Sequence, residues 1–292
     1  MLKLQKISVL TSFLSLWLTS YLSNQNQLIL GFFLIFTFGI LHGANDLMLI
    51  SRINSKKTKT FIKILSSYVL VVLISVLLFI KIPKLVLLIF ILISAYHFGE
   101  QHWHAFIKDC NKRVIKLFQL LYGLEILILL FAFNQEEVIE IINKITKIKI
   151  SNNLIINLLL IVSTLLLFTS VMVYKKSHYF RKSCVEQLFY LFLLCILFKS
   201  SSLIWGFAIY FIFWHSIPSI YEQIEFLHGK YSISNFTKYL KSAFFYWFFS
   251  IIGIGILFFI AKDMIIFDAL FFSFLASITF PHAFVILKMY EK

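Results

Sequence analysis

The sequence predicts an all-α, polytopic membrane protein of about ten transmembrane helices (range eight to ten) around an intramembrane histidine cluster. Three observations predict it. Of 292 residues, 60% are hydrophobic and only 14% charged, with a mean hydropathy of +0.91; soluble domains lie nearer half apolar and a quarter charged. Apolar stretches of roughly 20 residues, the length that crosses a bilayer as a helix, recur along the chain. Four histidines fall inside such stretches, where an ionisable side chain is costly and faces protein rather than lipid.

Runs bounded by charges or turn residues place spans near 7–23, 27–50, 61–80, 85–107, 114–133, 153–174, 183–199, 202–221, 242–261 and 265–287. The first follows Lys3 and Lys6 like a signal peptide. It lacks a convincing small-residue cleavage site and more spans follow, so it reads as a first helix. The short "FKSSSL" connection would also let spans seven and eight be one broken pair. Between spans five and six, Val138, Ile141, Ile142, Ile145 and Ile148 recur at helical spacing among charges, which predicts a helix along the membrane surface. No internal repeat or soluble domain interrupts the pattern, and residues 1–292 read as a single transmembrane domain.

The net charge of +14 comes from short clusters between spans, which fits membrane orientation and not nucleic-acid binding. Ten spans with a cytoplasmic N-terminus leave only Lys81, Lys84, Lys144, Lys147, Lys149, Lys199 and Lys262 of the 27 basic residues on the far side. That asymmetry predicts a multi-pass cell-membrane protein with both termini cytoplasmic. Cys110, Cys184 and Cys195 are odd in number without metal-type spacing, and read as reduced structural thiols.

The embedded histidines are His42 in span two, His97 in span four, His215 in span eight and His282 in span ten. All four spans run in the same direction. His42 lies ten residues before Arg52, His97 eleven before Lys108, and His282 six before Lys288. At 1.5 Å rise per residue the depths agree within roughly one to two helical turns. One buried histidine is as readily a hydrogen-bonded packing residue; four at one level point to a shared metal site. Imidazole suits iron, copper, zinc or nickel and does not choose among them. His178 and His228 fall in predicted loops, and His102 and His104 at the cytoplasmic end of span four.

On a continuous helix Asp46 shares a face with His42. It can brace the second ring nitrogen of His42 or of a histidine on a neighbouring helix, or it is an interfacial carboxylate near Arg52. Glu100 and Gln101 stand at i+3 and i+4 from His97. Gly43 and Gly99 follow their histidines and permit close helix approach, while Pro281 and Pro218 bend their helices near His282 and His215. Aromatic residues crowd these positions, including Phe98, Trp205, Phe213 and Phe280. Most read as packing, but as a group they suit a long, flat polyunsaturated ligand, with Tyr96, Trp103, Tyr210 and Trp214 as candidate tunnel residues. No protein acid or base is predicted beyond the metal site.

"GILHGANDL", "AYHFGEQHW", "FWHSIPSI" and "FPHAFVI", in that order, resemble the motifs of the Brp/Blh family of membrane β-carotene 15,15′-dioxygenases over approximately residues 30–290. Each motif is weak alone; the ordered set is fairly specific. The resemblance implies a non-haem Fe(II) enzyme that uses O2 to split β-carotene at its central double bond into two all-trans-retinals. It also implies a retinal-accepting rhodopsin as partner. By matching positions, His42, His97 and His215 carry over as iron ligands, and His282 matches the late Pro-His motif. Two departures stand out. Many members carry a second histidine one turn after the first in the third motif, where this chain has Ser219, leaving His282, His102 or water as fourth ligand. The second motif often ends in an acidic residue where this chain reads "EQHW".

Other classes compete. A related oxygenase would act on another carotenoid. A di-iron desaturase or hydroxylase would show dense histidine boxes, and the chain has no HxxxH. A histidine-dependent transporter would favour repeated halves and broken helices at the midplane. A carotenoid or retinal binder would need no metal.

Overall fold

The computed structural model describes residues 2–54, 61–107, 110–261 and 267–292, and among them every regular element is helical. In order these are α1 (Leu2–Thr19), α2 (Asn24–Leu34), a π-helical stretch (Ile35–Gly39), α3 (Asp46–Asn54), α4 (Phe61–Lys81), α5 (Pro83–Trp103), α6 (Lys112–Phe133) and α7 (Gln135–Thr146). There follow α8 (Asn152–Lys176), α9 (His178–Ser200), α10 (Leu203–Ile209), a second π-helical stretch (Tyr210–Ser216), α11 (Ile217–His228), α12 (Ile233–Ala261) and α13 (Phe267–Tyr290).

Among the described residues, eight stretches are long and apolar enough to cross a membrane: those in α4, α5, α6, α8 and α9, the continuous run Leu203–His228, and those in α12 and α13. This is the lower end of the expected range. In α1, Lys3, Gln5 and Lys6 dilute the hydropathy. The span expected over 27–50 is not one helix: it breaks into α2 and α3 at residues 42–45. There the backbone changes to three-residue turns, with Gly43 N–H bonded to the Ile40 carbonyl and Ala44 N–H to that of Leu41. Asn45 is pulled out of the helical path, its amide donating to the Tyr239 carbonyl at 3.0 Å. A helix is present where one was expected near 138–148, namely α7, followed by Lys147 at φ 60°. Spans seven and eight are separate, α9 ending at Ser200 and α10 starting at Leu203.

Contacts divide the chain into two compact units. The first comprises Met1–Ile35, Ile91–Asn143 and Ile148–His215; the second comprises Phe36–Phe90, Lys144–Lys147 and Ser216–Lys292.

The first unit buries apolar residues of α6, α9 and α10, such as Ile126, Leu194 and Ile209, but its helix α1 is packed inside out relative to a soluble protein. On α1, Ser8, Ser12, Ser15 and Thr19 recur at helical spacing and are all buried, whereas Leu10, Phe13, Leu14 and Trp17 are exposed. The buried stripe is hydrogen-bonded along its length. Ser8 donates to the Phe213 carbonyl at 2.6 Å, Ser12 accepts from the Trp214 indole at 2.9 Å, and Thr19 accepts from that of Trp205 at 2.7 Å. Polar side chains removed from water need such partners, while an apolar outer face costs nothing against lipid. In the same way Ser163 of α8 donates to both carboxylate oxygens of Glu125 on α6, at 2.8 and 3.0 Å. The helices α5 and α6 touch backbone to backbone. A Cβ on Gly99 would stand 1.8 Å from the Gln119 carbonyl oxygen, and one on Gly123 1.8 Å from that of Ala95.

Among the described residues of the second unit, apolar nuclei form in three places. Ala44, Ile220, Ile224, Tyr239 and Ala243 join the turn after α2 to α11 and α12. Leu49, Val285, Ile286 and Met289 join α3 to α13, and Phe79, Val86 and Ala276 join α4, α5 and α13. The Trp247 indole reaches back to the carbonyls of Phe36 and Thr37 at 3.1 Å, groups that belong to the π-helical stretch before His42.

Gly99→Ala or Gly123→Ala is expected to force α5 off α6 and to lower the melting temperature in detergent sharply, because a backbone carbonyl cannot yield to the new methyl. Gly253→Ala on α12, with nothing within 4 Å of the added methyl, is expected to be neutral or stabilising by about 0.5–1 kcal/mol. Equal melting temperatures for all three variants would contradict the close contact.

Candidate metal centre

The four embedded histidines are buried, with exposures of 6% (His42), 2% (His97), 1% (His215) and 3% (His282). Four histidines supply enough ligands for a metal ion. Two lie in each unit, as a pair.

In the second unit His42 and His282 meet edge to face, ring centroids 4.6 Å apart and planes at 88°. His42 sits in the turn between α2 and α3, three residues past the end of a π-helical stretch, a distortion often found at functional sites. Its Nδ1 bonds to the carbonyl of Gly39, the last residue of that stretch. A carbonyl only accepts, so Nδ1 carries the proton and Nε2 the ring lone pair. The backbone here is tied down from α11 and α12. The Gln223 amide donates to the His42 carbonyl at 2.8 Å and to Ser219 Oγ at 3.0 Å, and Tyr239 donates to Gln223 Oε1 at 2.9 Å.

His282 lies on α13 directly after Pro281, which has no N–H to offer the carbonyl one turn back. Its Nδ1 is 2.8 Å from Asp46 Oδ1. The other carboxylate oxygen, Oδ2, accepts from the Tyr68 hydroxyl of α4 at 2.8 Å. Asp46 opens α3 and is 2% exposed. It therefore reaches the neighbouring-helix histidine and is no interfacial group beside Arg52. The turn at 42–45 is the reason: without a continuous helix, Asp46 and His42 do not share a helical face. A Cβ on Gly43 would make only ordinary contact with His282 Nδ1, at 3.5 Å, so the approach expected to need glycine here would also accept alanine.

In the first unit His97 of α5 and His215 of the second π-helical stretch form the other pair, centroids 4.7 Å apart and planes at 79°. Phe98 meets His215 edge-on at 4.6 Å, and Phe211 stacks on it at 5.5 Å and 17°. The Gln101 amide donates to the His215 carbonyl at 3.0 Å. Glu100 accepts from Tyr96 at 2.9 Å, one turn along the same helix.

Other sequence candidates are spread around these pairs. Tyr210 meets Phe98 edge-on at 5.5 Å. Trp214 donates to Ser12 and packs against Tyr190, and Trp103 lies among Phe118, Tyr122 and Phe180. His102 is 2.8 Å from Gln187 Oε1 and 3.3 Å from the Tyr122 hydroxyl. Phe98 was among the aromatic residues marked from the sequence, whereas Tyr68, Gln223, Tyr239 and Phe211 were not. Tyr68, Gln223 and Tyr239 are single polar residues with no motif around them, and Phe211 is one of 35 phenylalanines.

Gln223→Leu is expected to destabilise the protein by about 1–3 kcal/mol, because it strips donors from a buried carbonyl and an acceptor from Tyr239. Thermal unfolding in detergent reads this out, and an unchanged melting temperature would show that the turn stands without Gln223.

The model of one protein family, described as β-carotene 15,15′-dioxygenase, matches residues 33–290. No curated protein and no solved structure matches the chain.

Proposed function

The chain belongs to the β-carotene 15,15′-dioxygenase family, and from that premise we propose that it is a non-haem Fe(II) enzyme. In this reading it cleaves β-carotene with O2 at the central double bond and releases two all-trans-retinals. The observation that carries the reading is the pairing: two buried, edge-to-face histidine pairs, each built from residues more than 100 positions apart in the chain.

His42, His97, His215 and His282 are the proposed ligands. The donor set fits: neutral imidazoles suit ferrous iron, and at His42 the protonated Nδ1 leaves Nε2 as the ligand atom. A carboxylate on the far nitrogen of a ligating imidazole fixes the ring and raises its basicity, and Asp46 stands in that position on His282. Fe(II) supplies, when bound, the redox chemistry that lets O2 react with a closed-shell polyene. The chain's own residues do the rest. Asp46 and the Gly39 carbonyl hold two imidazoles in orientation. Phe98 and Phe211 cover His215 and exclude water. Tyr210, packed on Phe98, is with Tyr96 the proposed wall for the polyene near this pair. The apolar substrate reaches the site from lipid, in a cell membrane that the chain crosses with both termini cytoplasmic.

Expression in bacteria that accumulate β-carotene tests the reaction. Wild type is expected to bleach the cells and yield retinal by chromatography. His42→Ala and His215→Ala are each expected to abolish cleavage while the protein still inserts. Retained turnover by either well-expressed variant would remove that histidine from the ligand set. Metal analysis is expected to give one iron per chain, where a desaturase-type centre would give two.

Asp46→Asn is expected to weaken metal binding about 10–100-fold, measured as iron retention against a chelator. Unchanged retention would reduce Asp46 to a packing residue.

A further inference from the structure

The second unit holds a cleft of about 380 Å³ between α4 and α13, with Ile50 of α3 at one side. Its walls include Ser67, Tyr68 and Val71 from α4 and Phe280, Pro281 and Phe284 from α13. None of the aromatic residues that the sequence marks as a tunnel lines it.

Three features say what it takes. First, the lining is mainly apolar, with Lys63, Ser67 and the Tyr68 hydroxyl as its polar members, and on the neighbouring surface of α4 Leu70, Leu73 and Leu77 are 57%, 55% and 59% exposed. A ligand arriving there is dissolved in lipid. Second, two of the cleft's wall residues adjoin the group that holds His282. Tyr68 forms its wall and at the same time donates to Asp46, which holds His282. Pro281 forms the opposite wall and is the residue before His282. Third, the volume sits at the lower end of the range for small-molecule sites. That suits one arm of a long symmetrical polyene rather than the whole molecule, and a substrate cut at its centre must extend one arm to each side of the metal.

We infer that this cleft is the binding site for one arm of the polyene, with Ser67 and Val71 as residues that determine which arms fit. The inference rests on the reaction proposed above and deepens it, because it names the groove that sets the cleavage register. An arm seated between α4 and α13 has its inner end against Tyr68, two hydrogen bonds from His282.

The test uses the full chain, iron-loaded, in lipid nanodiscs. Ser67 is exposed on α4, so Ser67→Trp fills the cleft without entering the packed interior; Val71→Phe is a second filler. Leu73→Trp, on the exposed face of α4 outside the cleft, is the control. Each filler is expected to raise KM for β-carotene about tenfold or more. Each is also expected to abolish retention of all-trans-retinal, followed by its absorbance after gel filtration, while iron content stays at the wild-type level. The control is expected to change none of the three. Unchanged KM and retinal retention in both iron-loaded fillers would overturn the inference and make the cleft a seat for lipid acyl chains. Retinal retained by wild type and lost in the fillers, with no cleavage by wild type, would sustain the cleft and sink the proposed reaction.

Discussion

A carboxylate buried in a chain this apolar has to be satisfied at both oxygens, and the second unit is arranged around that requirement at Asp46. Leaving a buried charge without partners costs several kcal/mol. Asp46 has His282 on one oxygen and Tyr68 on the other, each at 2.8 Å. Those two bonds bring α3, α4 and α13 to one point. They also fix which nitrogen of His282 turns away from the carboxylate, so the group that ties the helices together is the one that aims the histidine.

The same rule works more quietly elsewhere. With lipid outside, hydrophobic burial cannot tell the inner face of a helix from the outer one, and hydrogen bonding and close packing take over. The serine and threonine stripe of α1 pairs with the Trp205 and Trp214 indoles and the Phe213 carbonyl. Gly99 and Gly123 let α5 and α6 meet at van der Waals contact of their backbones. His97 and Gln101 both project from α5, so its placement by those glycines bears directly on the first histidine pair.

Two local distortions place histidines that a regular helix would misdirect. One π-helical stretch ends three residues before His42 and the other contains His215. Each loosens the backbone where an imidazole must be aimed. Nearby polar side chains then fix the loosened segment: Gln223 and Tyr239 around His42, Gln101 on the His215 carbonyl. A family of carotenoid-cleaving dioxygenases is a natural home for such an arrangement, because its substrate lives in the phase these helices face.

The sequence by itself determined the helical class, most of the span lengths, a short helix where α7 lies and the four histidines as a group apart, since hydropathy, length and charge are additive along the chain. It did not determine the break at 42–45. Residues 27–50 are apolar enough for one helix, and only bonds from α11 and α12, far along the chain, pull the turn out of it. The partner of Asp46 was undecided for the same reason, because a carboxylate's choice between histidines depends on which helix stands beside it. Tyr68, Tyr239 and Gln223 were hidden as single polar residues with no motif around them. Tertiary structure alone decided these points, because they rest on contacts between residues up to 236 positions apart, and in an apolar sequence the pattern that would foretell such contacts is erased.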